Sequence, residues 1–338
     1  MVRSTILIGL AAVAAATASL PPFEAGAQAA ASPPVRANGP DDPSGLQALR
    51  ERDQRVAEVG FRLRAANKDH CPMVGPLPGW TLHNAAQYAV RIRSLASAHF
   101  RLVGDFPSLL AVAPNSPAWS AGLRSDDVLL SVNERPLGAF TSVDGEASFD
   151  SLAQAAALLE HELARPATLQ ILRYGERLQI TMPAGRGCLI ESQVDPSSEL
   201  QAEANAQRVF ITTAMVDFAG ADDELAFVLA HEYAHIILGH ARPAPGGEEA
   251  PLAAPVSPRA SALSEVEELA ADRLGLSLVH NAGFKVGAAP ALIERLGRER
   301  RRLSAWPSGS RWTDRRRVAL EQAASQIERG AGAHGESR

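Results

Sequence analysis

The 338-residue chain has two cysteines, no excess of basic residues and, beyond its N-terminus, no long apolar run. Two cysteines without a CxxC spacing exclude a disulfide-scaffold protein, a thiolate metal site and a dithiol redox centre, so any metal must be held by histidine and carboxylate. The charge balance is 33 − 38 = −5, which offers no basic field to a nucleic-acid backbone and excludes nucleic acid as a partner. What is present, 46% apolar and 21% charged residues, is the composition of an ordinary globular protein of about two domains, not of a disordered chain.

Arg3 precedes a run from Ile6 to Leu20 of mostly Ile, Leu, Val and Ala, and Ala25-Gly26-Ala27 follows with small residues at A-x-A spacing. Residues 1–27 read as a secretory signal peptide, which places the protein in the periplasm or outside the cell; an uncleaved N-terminal anchor is the alternative. The run falls short of the roughly 20 residues of a bilayer span. Residues 28–44, rich in Ala, Pro, Gly and Asp, read as a disordered leader. Export implies an oxidising compartment, so Cys71 and Cys188 are candidates for a disulfide, with two separate buried thiols as the alternative.

From Leu46 to Ala66, apolar residues at 46, 49, 56, 59 and 63 recur at helical spacing. A Pro/Gly-rich turn spans Cys71 to Gly79. Residues from about 90 to 185 then alternate short β-like runs with turn signals, around one helical stretch near 149–163. Within them Ala121-Gly122-Leu123-Arg124, Asp127-Val128-Leu129-Leu130 and the Arg173 to Glu176 turn resemble a bacterial PDZ domain. Asp126 stands where that family usually has glycine, and the carboxylate-binding loop, expected near 101–106, matches poorly, which leaves the ligand type open. The resemblance implies binding of extended peptides by strand addition.

Further on, Val209 to Thr213 reads as a strand, and Asp222-Asp223-Glu224 open a helix that runs from Leu225 to about Leu238 and stops at Gly239. Residues 241–259 form a Pro/Ala/Gly-rich loop, followed by a second helix at about 264–279. In the first helix His231-Glu232-Tyr233-Ala234-His235 is an HExxH motif. Its histidines lie one turn apart on one face, so both reach one metal, while Glu232 is turned about 100° away and acts as general base. Two histidines and a glutamate without partners would be costly in so apolar a helix. A metzincin-type third histidine at 241 is missing: Ala241 stands there, and His240 is one position early. The second helix offers Glu268 as third ligand and, at i+4, Asp272 to accept the free ring N–H of a ligating histidine; Glu265 and Glu267 compete as ligands. Ala271 and Gly275 are small enough to let the two helices approach closely.

The stretch Asp223 to His235, with Glu268 to Gly275, resembles the HtpX/Oma-like zinc metallopeptidases related to the CAAX prenyl proteases, over about residues 195–285. That resemblance implies one zinc ion held by His231, His235 and Glu268, Glu232 as catalytic base, Asp272 orienting a ligand, and the strand at 209–213 as a holder of substrate backbone. Gln201 and Ala214 depart from the family's usual Asn and Gly, and Trp306-Pro307 lacks its histidine. By the same resemblance Arg317 is the candidate for the family's downstream arginine, contacting substrate or oxyanion. The nine arginines between Arg295 and Arg317 read as solvated helix faces, with peripheral association with the membrane or envelope as a second use.

The expected fold class is α+β: a mainly helical zincin-type peptidase domain (45–88 and 187–328) with an inserted β-rich PDZ-like domain (89–186) and a disordered tail (329–338). The expected function is that of a zinc-dependent endopeptidase cleaving envelope or misfolded proteins through a zinc-activated water, the PDZ-like module binding peptide. The alternative is a non-hydrolytic peptide-binding adaptor or chaperone-like protein with a structural zinc.

Overall fold

The computed structural model describes residues 42–205, 208–240, 264–303 and 310–335. The signal peptide, nearly all of the leader, the loop at 241–259 and Trp306-Pro307 lie outside them. The first helix, α1 (Pro43–Ala66), begins with Pro43 in its first turn and Asp42 as N-cap, whose carboxylate accepts the Gly45 amide at 2.7 Å. The helix therefore takes in the last two residues of the expected leader.

Three short strands and a helix follow: β1 (Val74–Pro76), β2 (Trp80–His83), α2 (Val90–Phe100) and β3 (Ser108–Val112). Next come α3 (Pro117–Ser120), β4 (Val128–Val132), β5 (Arg135–Pro136), α4 (Asp150–Glu162), β6 (Ala167–Arg173) and β7 (Glu176–Met182). A six-stranded antiparallel sheet has the order β2-β3-β4-β6-β7, with β5 paired to β4. Its buried face, including Leu109, Leu129, Leu169 and Ile171, packs against Ala155 and Leu159 of α4 and Leu163 at its end. Two expectations need correcting. The sheet takes its first strand from Trp80–His83, upstream of residue 89, because a four-residue strand directly after the Pro/Gly-rich turn is too short to show alternation. The segment also holds three helices, not one; α3 is a single turn capped by Ser116, and α2 buries only Ile92, Arg93, Ala96 and Phe100.

The chain continues through β8 (Arg186–Cys188), β9 (Glu191–Asp195), β10 (Ala202–Asn205), β11 (Arg208–Thr212) and α5 (Thr213–Phe218), then α6 (Asp222–Ile237), α7 (Glu265–Asn281), α8 (Ala288–Leu303) and α9 (Ser310–Gly335). Helix α9 overrides the expected tail from 329 on: its backbone stays helical to Gly335. No helix among the described residues is long and apolar enough to cross a membrane. The second core joins Val59 and Leu63 of α1, Ile211 of β11, Leu225, Phe227 and Leu229 of α6, and Leu276 of α7. Each such side chain contributes about 1.5–3 kcal/mol on burial, so α6 is held on several sides.

Helix α1 touches both cores. Gln54 exchanges two hydrogen bonds with the Val112 backbone, at 2.9 and 3.1 Å, and Arg50 pairs with Asp126. Asp126 takes φ +70, the left-handed conformation for which the family uses glycine, and its carboxylate anchors the turn to α1. Cys71 and Cys188 form a disulfide with Cα atoms 5.5 Å apart, and β8 pairs with β1 in the register Val74 to Cys188.

Candidate metal centre

Helix α6 forms where acids meet the macrodipole at its N-terminus and apolar residues fill the turns that follow. Glu224 accepts from the Ala221 amide and pairs with Arg295 at 2.7 Å, which fixes the first turn. At the other end Gly239 takes φ +74, so that its own N–H donates to the Ile236 carbonyl and that of His240 to the His235 carbonyl.

His231 and His235 are both buried, with their Nε2 atoms 3.1 Å apart. Glu268 of α7 approaches from the other side, Oε2 at 3.5 Å from Nε2 of His231 and Oε1 at 3.8 Å from that of His235. One donor atom from each of the three residues lies within 4.8 Å of the others, and among the described residues no other group of three or more such side chains could hold a metal ion. Two ligands at the zinc–nitrogen distance and a tetrahedral angle stand roughly 3.3 Å apart, so the donor set fits this ion. Close approach of the helices makes this possible: a Cβ on Gly275 would lie 3.2 Å from the His231 backbone nitrogen. The competing carboxylates are engaged elsewhere. Glu267 accepts from the backbone N–H of Ser264, the N-cap of α7, at 2.8 Å, and Glu265 pairs with Arg315 at 3.1 Å.

Around the triad lies a second set of contacts. Oδ1 of Asp272 is 3.0 Å from Nδ1 of His231, within ion-pair distance though outside hydrogen-bond alignment. Nδ1 of His235 lies 3.1 Å from Nδ1 of His240, one ring nitrogen donating to the other. Sequence reasoning set His240 aside as a ligand and missed this contact; the signal was the helix-ending Gly239, whose turn folds His240 back over the last coil of α6. Burial opposes protonation of His231, but Asp272 and then Glu268 outweigh it and carry the ring up to about 9. His235 is driven down to about 4 by burial and by the neighbouring His231. Desolvation, partly offset by His231, raises the Glu232 carboxyl above its ordinary range.

The arginine expectation is corrected. Arg317 pairs with Glu321 one turn away. Arg316 is the one that reaches the site: its guanidinium grips both oxygens of Asp272 at 2.8 and 2.7 Å and lies 3.3 Å from Glu268. Burial works against the Asp272 charge, yet Arg316 and His231 hold its carboxyl down to about 2. One of the arginines read as a solvated face is thus a largely buried structural cation; a run of three arginines gives no sign of which faces inward. Arg316→Ala is expected to lower the unfolding free energy by about 3–5 kcal/mol, because it strands a buried carboxylate, and Arg317→Ala to change it by less than about 0.5 kcal/mol. Denaturant titration of the two variants checks the contrast.

The strand expected to hold substrate backbone is also corrected. β11 is the middle strand of the order β10-β11-β9, antiparallel to β10 and parallel to β9, so neighbours occupy both its edges. Among the described residues, β10 has a strand partner on one side only and packs against α6.

Residues 191–244 match the family model described as Peptidase family M48, and residues 109–139 match that of a PDZ domain. The two matches show a segment similar to the M48 peptidases and a segment similar to a PDZ domain in one chain. More particularly, the segment that matches the M48 peptidases contains β9 to α6 and both histidines, while the PDZ match covers β3 to β5. No curated protein matches the chain. Among solved structures, the crystal structure of the HtrA3 PDZ domain bound to a phage-derived ligand (FGRWV) is 22% identical, covering 34% of this chain and 89% of that one, with a TM-score of 0.24.

Proposed function

We propose that the chain is a zinc-dependent endopeptidase, exported to the periplasm or cell exterior, that hydrolyses envelope or misfolded proteins and uses its PDZ-like module to bind peptide. The proposed division is a peptidase domain formed by 45–88 and 187–328 with 89–186 inserted, the inserted sheet taking its first strand, β2, from just before that boundary. The observation that carries this reading is the triad His231, His235 and Glu268 around one point, with Glu232 on the same helix. Three protein donors suit a catalytic site, whereas a structural one has four, which favours turnover over the adaptor reading. A zinc ion held by His231, His235 and Glu268 would supply Lewis acidity toward a carbonyl and toward water. Glu232, with its carboxyl raised by burial, takes the proton as water attacks and returns it to the departing amine. Asp272 keeps the Nδ1 side of His231 engaged and leaves Nε2 for the ion, and His240 does the same for His235.

Digestion of denatured casein tests the proposal: activity should vanish with a chelator and return with zinc, and casein left intact under all conditions contradicts it. A second expectation concerns protons. Ligand histidines must be neutral, and His231 in the metal-free protein stays protonated up to about pH 9. Zinc binding near pH 7 should release about one proton, with affinity rising up to about pH 9. Calorimetry in buffers of different ionisation enthalpy measures the release, and none at all contradicts the assignment.

A further inference from the structure

A cavity of about 680 Å³ lies between α1, β2, α4 and β9. Much of its wall is apolar: Leu49 and Val56 of α1, Leu82 of β2, Leu152 and Leu159 of α4. Tyr233, inside the HExxH motif, also lines it, and its hydroxyl is 2.7 Å from that of Ser192 on β9. Asp53 interrupts the apolar part of the α1 wall, and Arg64 lines the cavity further along the same helix. Positions 46, 49, 53, 56, 60 and 63 alternate in steps of three and four along the buried stripe of that helix, and Asp53 occupies one of them.

Asp53 is 9% exposed, and among the described residues no hydrogen bond or ion pair reaches its carboxylate. Burial alone pushes its carboxyl up to about 7. The other charged groups lining the cavity do not answer it: Arg64 donates to the Cys188 carbonyl at 2.9 Å, Arg208 pairs with Glu191 at 3.5 Å, and Glu160 is exposed. A buried carboxylate without a cation is costly, and a leucine would fit this stripe better. Retention of such a group points to a ligand that supplies the missing charge. Strand β2 pairs with β3 on one side and with no strand among the described residues on the other, and a free strand edge beside a helix is the setting for strand addition.

We propose that this cavity binds an extended peptide segment with apolar side chains against α1 and α4, and that Asp53 receives a lysine or arginine side chain of that segment. The inference rests on the reading that the PDZ-like module binds peptide. It adds that the peptidase helix α1 completes the site and selects for a basic residue.

The test uses the full chain carrying Glu232→Gln, so that no probe is cut, and two fluorescent peptide pools with randomised apolar flanks, one with a fixed central lysine and the other with norleucine. Fluorescence anisotropy should show the lysine pool binding about tenfold tighter or more, as expected for a charge-assisted pair with a largely buried carboxylate. Asp53→Asn and Asp53→Leu should each abolish the difference while unfolding at no lower temperature than the parent. Equal binding of the pools to the parent, or a preference that survives either substitution, overturns the selection by Asp53 and leaves peptide binding standing. A variant that melts below its parent shows the carboxylate to be engaged within the fold and also overturns it. Failure of both pools to bind overturns the peptide-binding reading itself.

Discussion

Glu232→Gln is expected to retain zinc and to lose peptide hydrolysis by about 10²- to 10⁴-fold, the usual contribution of a positioned general base. The substitution keeps the shape of the side chain and removes its ability to take a proton. Glu232 is outside the donor triad, so the ion does not depend on it. Its carboxyl is raised by desolvation, partly countered by His231, which brings it nearer the operating pH than an exposed glutamate would be. Initial rates on denatured casein, with zinc content measured on the same samples, check both halves of the expectation. Full activity in the variant contradicts the role given to Glu232.

Replacing both Cys71 and Cys188 with alanine should lower the unfolding free energy by about 4–5 kcal/mol, the chain-entropy estimate for a loop of this length. The two residues are separated by 117 positions, so the bond joins the end of α1 to the entrance of the β9–β11 sheet across the entire six-stranded module. Without it the unfolded chain gains the freedom of that whole loop, while the folded contacts of β1 with β8 remain. Chemical denaturation of the double variant, or of the parent under reductant, measures the loss; an unchanged midpoint contradicts a structural role for the bond.

Much of this architecture was legible in the chain because it rests on periodicity and on residues with few alternative uses. The stripe of α1, the acids at the start of α6, Gly239 at its end and the helical run expected from about 264 are local signals, and each matched an observed boundary to within a few residues. The metal donors were readable because HExxH on a helix fixes two directions at once, and because Gly275 marks where a second helix can come close. What escaped notice depends on contacts between distant segments. Nothing local distinguishes Arg316 from Arg317; the packing of α9 against α7 turns one inward to Asp272 and leaves the other beside Glu321. Likewise β11 was legible as a strand from its β-branched residues and the family resemblance implied a role on substrate, whereas its place between β10 and β9 is set by pairing. Asp53 escaped for a different reason: an acid in a helix ordinarily reads as solvated, and only the packed structure shows it buried in the wall of a cavity with no hydrogen bond or ion pair among the described residues.

The central claim is that one divalent ion is shared by α6 and α7. Elemental analysis of the purified protein and of Glu268→Ala, after equilibration with equal limiting zinc, tests it most directly. One zinc per chain in the parent and a clear shortfall in the variant, with unchanged helical content by circular dichroism, is the predicted result. A full complement of zinc in Glu268→Ala, or a parent that binds none, would contradict it.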